Sequence, residues 1–162
     1  MTGPDERPSG LPVERLAGWE FFAGLTGDQV ERIAACGTEI EFAADRQILA
    51  AGRPADRWYL IERGKVVIEI DGAGRGLAAI ETIGVGEVLG ISWLLPPYRW
   101  AFDARAVEPT AAIAIDAETL RAECDADPVL GYELYRSFAA VIHNRLVATR
   151  VKALDLYGAT VP

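Results

Sequence analysis

The spacing of apolar and polar positions divides the chain into three textures. From Val13 the pattern is helical. Val13, Leu16 and Ala17 are spaced for one face, and Trp19, Phe21, Phe22 and Leu25 follow as an aromatic cluster. Thr26 is placed to cap the next helix, with Asp28 in its first turn. That pattern runs through Ile33 to Ala35, and Gly37 is read as its end. From Thr38 to Ile115 short segments of period two take over, at 38–42, 47–49, 58–62, 66–70, 77–83, 102–106 and 111–115. Turn residues separate them, among them Gly52, Gly64, Gly84 and Gly86, and 71–76 reads as a hairpin tip. Many short strands punctuated by glycine predict an antiparallel barrel or jelly roll.

After Asp116 the texture is helical again. Asp116 caps a helix through Leu120 to Cys124. Asp127 caps a second one, with Pro128 at its first position. This last helix is read from about Pro128 to Tyr157, on the order of 45 Å long and more than a small barrel needs. Leu130, Leu134, Phe138, Val141 and Ile142 are placed to pack on the barrel, and Val147, Val151 and Leu154 recur at i, i+4 and i+7. A helix apolar on two sides that outruns its own domain predicts a partner helix. A symmetric homodimer is expected, with Phe138, Val141, Val147, Val151 and Leu154 as its seam; folding back over its own barrel is the alternative.

Composition narrows the function. The 162 residues suit one domain, with 51% hydrophobic and 25% charged positions. The expected organisation is a disordered tail at 1–12 and one domain at 13–162. That domain comprises helices at 13–37, a β-roll at 38–116 and helices at 117–158. A net charge of −8 argues against a general nucleic-acid binder. Cys36, Cys124 and His143 are the only residues of their types, too few for a Cys/His zinc or iron–sulfur site, so no metal or cofactor is expected. Two widely spaced cysteines, read as buried thiols, fit a reducing cytoplasm. No apolar run approaches the roughly 20 residues that span a bilayer, so no membrane is implied. His143, beside Asn144 and Arg145, reads as a solvated or interface histidine. Without a nucleophile–base pair or a Walker-type loop, no enzyme is expected. The glycines of 71–76 lie in a hairpin and not before a helix, so they are not a dinucleotide fingerprint.

One constellation is more specific. Ile48-x-x-x-Gly52, Ala55-Asp56 and Tyr59-x-Ile61-x-x-Gly64-x-Val66 are followed by Gly84-x-Gly86-Glu87-x-x-Gly90. This pattern resembles the cyclic-nucleotide-binding domain, the sensor of CRP/FNR-type regulators and of cyclic-nucleotide-gated channels and kinases. The resemblance implies a β-roll or jelly roll flanked by helices, two before it and two after, the last one long. It implies a phosphate-binding cassette, here within 86–106. In that family a short helix offers backbone N–H groups to the cyclic phosphate. A Glu after the cassette glycine holds the ribose hydroxyl, and a later Arg pairs with the phosphate.

With Arg105-Ala106 anchoring the register, the Glu slot holds Ile91 and the Arg slot holds Trp100. Both main polar contacts are missing. The candidate ligand pocket is therefore Glu87, Gly90, Ile91, Ser92, Trp93, Arg99, Trp100 and Ala101. Arg99 lies one position early and reaches a phosphate only if the cassette slips by one residue. Arg99 and Arg105 either bind an anion or pair with Glu87 or Asp103. Trp93 and Trp100 either line a pocket or fill the vacated site. Glu87 is a weak substitute for the ribose acid, and Ser92 either bonds a phosphate or caps the short helix. The expected function is a regulatory sensor-like module, dimeric through its last helix, with weak or no affinity for ordinary cAMP or cGMP. A genuine cyclic-nucleotide binder using Arg99 and a ligand-free interaction module are the alternatives. The family's helix-turn-helix normally follows the long helix, and with the chain ending at Pro162 no direct DNA binding is expected.

Overall fold

In the computed structural model, residues 10–158 and the backbone of Asp5–Glu6 are described. The chain runs through β1 (Asp5–Glu6), α1 (Glu14–Ala17), α2 (Gly27–Ala34), β2 (Gly37–Phe42), β3 (Gln47–Leu49), β4 (Arg57–Arg63) and β5 (Val66–Asp71). It continues through β6 (Leu77–Ile83), β7 (Val88–Leu89), β8 (Asp103–Ala106), β9 (Thr110–Asp116), α3 (Ala117–Ala126) and α4 (Pro128–Gly158). All pairings are antiparallel. One sheet has the order β1-β2-β9-β4-β7 and the other β3-β8-β5-β6. This is the β-roll with flanking helices that the family resemblance implies, and the strand spacing predicts its antiparallel character. The hairpin tip closes with Asp71 opposite Leu77 and the Gly72 N–H donating to Gly76 O at 3.0 Å.

Caps set the helix starts. The Thr26 hydroxyl accepts from Gln29 N–H, and the Gln29 side chain accepts from Thr26 N–H, a reciprocal capping box. Asp116 accepts from Thr119 N–H at 2.7 Å, and Asp127 accepts from Val129 and Leu130 N–H. Gly37 does not cap α2: the helix stops at Ala34 and Gly37 opens β2. Glycine freedom is needed at Gly64, where φ is +96° and a Cβ would lie 2.5 Å from Thr110 Oγ1. Within the expected disordered tail, Asp5 and Glu6 pair with Glu41 and Ile40, and Gly10 and Leu11 N–H donate to Gly37 O and Ala34 O. The tail is therefore tied to β2 and to the end of α2 at those points; residues 1–4 and 7–9 lie outside the described residues.

The core sits between the sheets and under the helices. β4, β5 and β9 carry runs of consecutive buried residues because both faces are covered. α3 lies against β4 and β9, and α4 packs against α3. Leu130, Leu134 and Phe138 of α4 are buried in this core, with the Phe138 ring edge-on to Trp58, Trp93 and Phe21 at 4.9–5.3 Å between centroids. Beyond Phe138 the fit loosens. Val141 is half-buried and Ile142 is 39% exposed, so Ile142 is not the barrel-packed core position expected of it.

Candidate functional site

The site lies where the segment after β7 passes beneath α4. Gly90 starts it with φ +100°, and a Cβ there would meet the Trp100 ring at 2.8 Å. Glycine thus allows Trp100 to lie against the backbone. Ser92–Leu94 form a short 3-10 turn. The β3–β4 loop straps the far end: Trp100 N–H donates to Arg53 O, Gly52 N–H to Trp100 O, and Ala55 N–H to Tyr98 O, at 2.7–2.9 Å. Arg99 forms an isolated antiparallel bridge with Pro54, so at 99–100 neighbouring side chains point to opposite faces. Trp100 turns inward. Arg99 turns outward, is exposed, and donates from Nη1 to Gly52 O at 2.8 Å.

Between this segment and α4 lies a cavity of about 360 Å³. Gly90, Ile91, Ser92, Trp100 and Ala101 line it, which brings five of the eight expected pocket residues together. The other three lie elsewhere. Glu87 accepts from Gly84 N–H at 2.7 Å and faces a separate groove beside Phe21 and Val141. Trp93 is fully buried and stacks on Trp58 with centroids 5.7 Å apart, so it is core filling. Arg99 is on the outer face, and the one-residue slip that would bring it inward is not seen. Ser92 does not cap the 3-10 turn, which has no side-chain cap. Arg105 is an ion-pair residue, but with Glu69 at 2.7 Å and Asp45 at 3.1 Å and not with Glu87 or Asp103.

Three charged residues of the cavity wall, Arg145, Glu81 and Asp103, are not among the expected pocket residues. Arg145 of α4 reaches back to the barrel, donating to Val88 O and lying 3.3 Å from Glu81 Oε1 of β6. Burial pulls the Arg145 guanidinium below its usual pKa, against the opposing pull of Glu81 and Glu87. A lone Arg between Ile142 and Leu146 was the available signal. Asp103 also lines the wall, with Oδ1 accepting from Ala51 N–H at 2.8 Å and from Gln47 Nε2 at 3.3 Å. Arg121 of α3 was missed as well. It donates to Trp93 O at 2.9 Å and sits 4.1 Å over the Tyr98 ring, while Tyr135 Oη donates to Leu94 O. The short turn is thus pinned to both C-terminal helices. Among the described residues no three His, Cys, Asp or Glu side chains gather as a metal site.

The seam expected on α4 is divided. Phe138 is fully buried in its own barrel and cannot meet a partner, and Val141 is half-buried beside the groove. Val147, Val151 and Leu154 are exposed.

Known proteins share this fold. The family model for the cyclic nucleotide-binding domain matches residues 39–127, more than half of the chain. Glutaminase 2 of Bradyrhizobium diazoefficiens is 26% identical over 139 residues, which cover 86% of this chain and 21% of that protein. The chain therefore spans about a fifth of the length of that curated relative. A candidate cyclic nucleotide-binding protein of Geobacter metallireducens superposes with a TM-score of 0.77 at 29% identity, over 84% of this chain and 98% of that one. The catabolite activator protein of Thermus thermophilus gives 0.65 at 25% identity, over 85% and 62%. With its strand order, its glycine-bounded cassette and this family match, the chain belongs to the cyclic nucleotide-binding domain family.

Proposed function

We propose that this chain is a regulatory ligand-sensing module that keeps the family fold without ordinary affinity for cAMP or cGMP, and that it works as a homodimer through α4. The observation that carries the reading is the polarity of the cassette. In the register anchored on Arg105-Ala106, Ile91 and Trp100 fall at the positions of the ribose-binding Glu and the phosphate-binding Arg; both line the cavity, and Arg99 points away to Gly52 O. Losing a charged hydrogen-bonding partner typically costs about 2–5 kcal/mol, and two such losses take micromolar binding to roughly millimolar or weaker. A persisting cavity of about 360 Å³ favours a ligand-binding role over a wholly filled, ligand-free module. The exposed Val147, Val151 and Leu154 support the dimer. The net charge of −8 speaks against direct DNA contact by this domain. Among the described residues no helix is long and apolar enough to cross a membrane. The glutaminase likeness covers only 21% of that protein and supports no transfer of its activity.

Thermal unfolding with added nucleotide tests the loss of affinity. At about 1 mM cAMP or cGMP, a millimolar dissociation constant gives at most about 0.4 kcal/mol of stabilisation, or roughly 1–2 °C. A constant of about 5 μM would give about 3 kcal/mol, a rise of several degrees, and would contradict the reading. If that rise appears and Arg99→Ala removes it, the arginine-dependent alternative holds instead.

A further inference from the structure

We infer that the cassette cavity selects an uncharged, largely hydrocarbon small molecule, a ring or short chain with at most a hydroxyl-type polar group, over acids and amines of the same shape. This rests on the ligand-sensing reading above and adds the ligand class. The volume, about 360 Å³, is near the lower end of the roughly 300–1,000 Å³ typical of small-molecule pockets. Most of the wall is carbon, supplied by Ile68, Leu89, Ile91, Trp100, Phe102 and Leu146.

The charges in the wall decide the class. They are Glu81, Asp103 and Arg145, a net −1. Arg145 is held by Glu81 and Val88 O. Asp103 accepts two N–H groups, both on Oδ1, in bonds exposed to solvent, where water screens its charge. An incoming anion meets two carboxylates, and it gains Arg145 only by stripping it from Glu81, which leaves that carboxylate unpaired. An incoming cation competes with Arg145 for Glu81 and strands the guanidinium against an apolar wall. A neutral molecule disturbs neither pair. Of the two hydroxyls in the wall, Thr149 donates to Arg145 O at 2.9 Å within its own helix. Ser92 is half-buried, and its rotating hydroxyl can donate to or accept from a ligand hydroxyl.

The probes are phenylbutanol, phenylbutyrate and phenylbutylamine, each with ring and polar group at opposite chain ends. At neutral pH they are neutral, anionic and cationic. Affinities come from NMR shift titrations of the whole chain, with cAMP as a fourth probe. The alcohol should bind at least about tenfold more tightly than the acid or the amine. Glu81→Gln frees Arg145, so the acid should gain about tenfold and close the gap. Ile142→Trp should fill the cavity and abolish alcohol binding; if that variant does not fold, Leu146→Trp takes its place. Acid or amine binding as tight as the alcohol, no alcohol binding up to its solubility, or alcohol binding untouched by the filled variant each overturns the inference. Micromolar cAMP binding would instead overturn the functional reading on which it rests. An acid preference without cAMP binding overturns the ligand class alone.

Discussion

In the first half of α4, Leu130, Leu134 and Phe138 are fully buried, and Tyr135 bonds the cassette turn at Leu94 O. In the second half, Val147, Val151 and Leu154 are 45%, 52% and 69% exposed. The helix has one texture and two surroundings. The change comes near Arg145, whose bonds to Val88 and Glu81 tie the helix to the barrel. Apolar spacing thus shows that a helix face needs cover without showing what covers it. The first half is a wall of its own domain, and the second leaves its apolar residues exposed.

Phe138→Ala should have the largest effect on stability. It removes a ring packed on Trp58, Trp93 and Phe21, at a cost of about 3–5 kcal/mol in urea unfolding. A cost below about 1 kcal/mol would deny the first half its core role. Asp127→Ala takes the cap from the same half and breaks the 2.6 Å pair with Arg32. Its expected cost is about 1 kcal/mol, within the 0.5–2 range of lost caps. In the second half, Val151→Asp should change the unfolding free energy of the monomer by no more than about 0.5 kcal/mol. It should nevertheless convert the dimer to monomer in sedimentation equilibrium. A wild-type chain that sediments as a monomer at every concentration, or a variant that remains dimeric, would break the comparison from that side.

A pH-dependent effect concerns Cys36 and Cys124. Burial, the first cause, pushes both thiols from 9.0 up to about 11. The folded state therefore holds protons that the unfolded chain releases between these values. The associated stability is present below pH 9 and is lost as pH rises through about 11. The urea midpoint should fall more steeply over that window in the wild type than in a Cys36→Val, Cys124→Val variant. Equal slopes would show that the thiols do not contribute.

Much of the fold was legible because local rules and the global fold agree. The segments 47–49 and 77–83 are strands as read, and most others differ by a residue or two at their ends. The two-residue β7 was missed, since Val88–Leu89 carries no period of its own. Period two is weak in β9, where Ala111, Ala112 and Ala114 are buried along with Ile113 and Ile115. The candidate site was legible only in part. The expected loss of the family's polar contacts rests on the sequence register of Ile91 and Trp100. The roles of Trp93 and Trp100 could not be read from the sequence, because one aromatic fills the core and the other bounds a cavity, and only packing distinguishes them. Arg145 and Glu81 meet across 64 positions of sequence, which no local pattern records.

Calorimetric titration of the chain with cAMP tests the central claim, a cyclic-nucleotide fold whose cassette has lost its anion contacts, most directly. The account predicts no binding heat attributable to a dissociation constant below about 100 μM. A stoichiometric transition with a low-micromolar constant would contradict it.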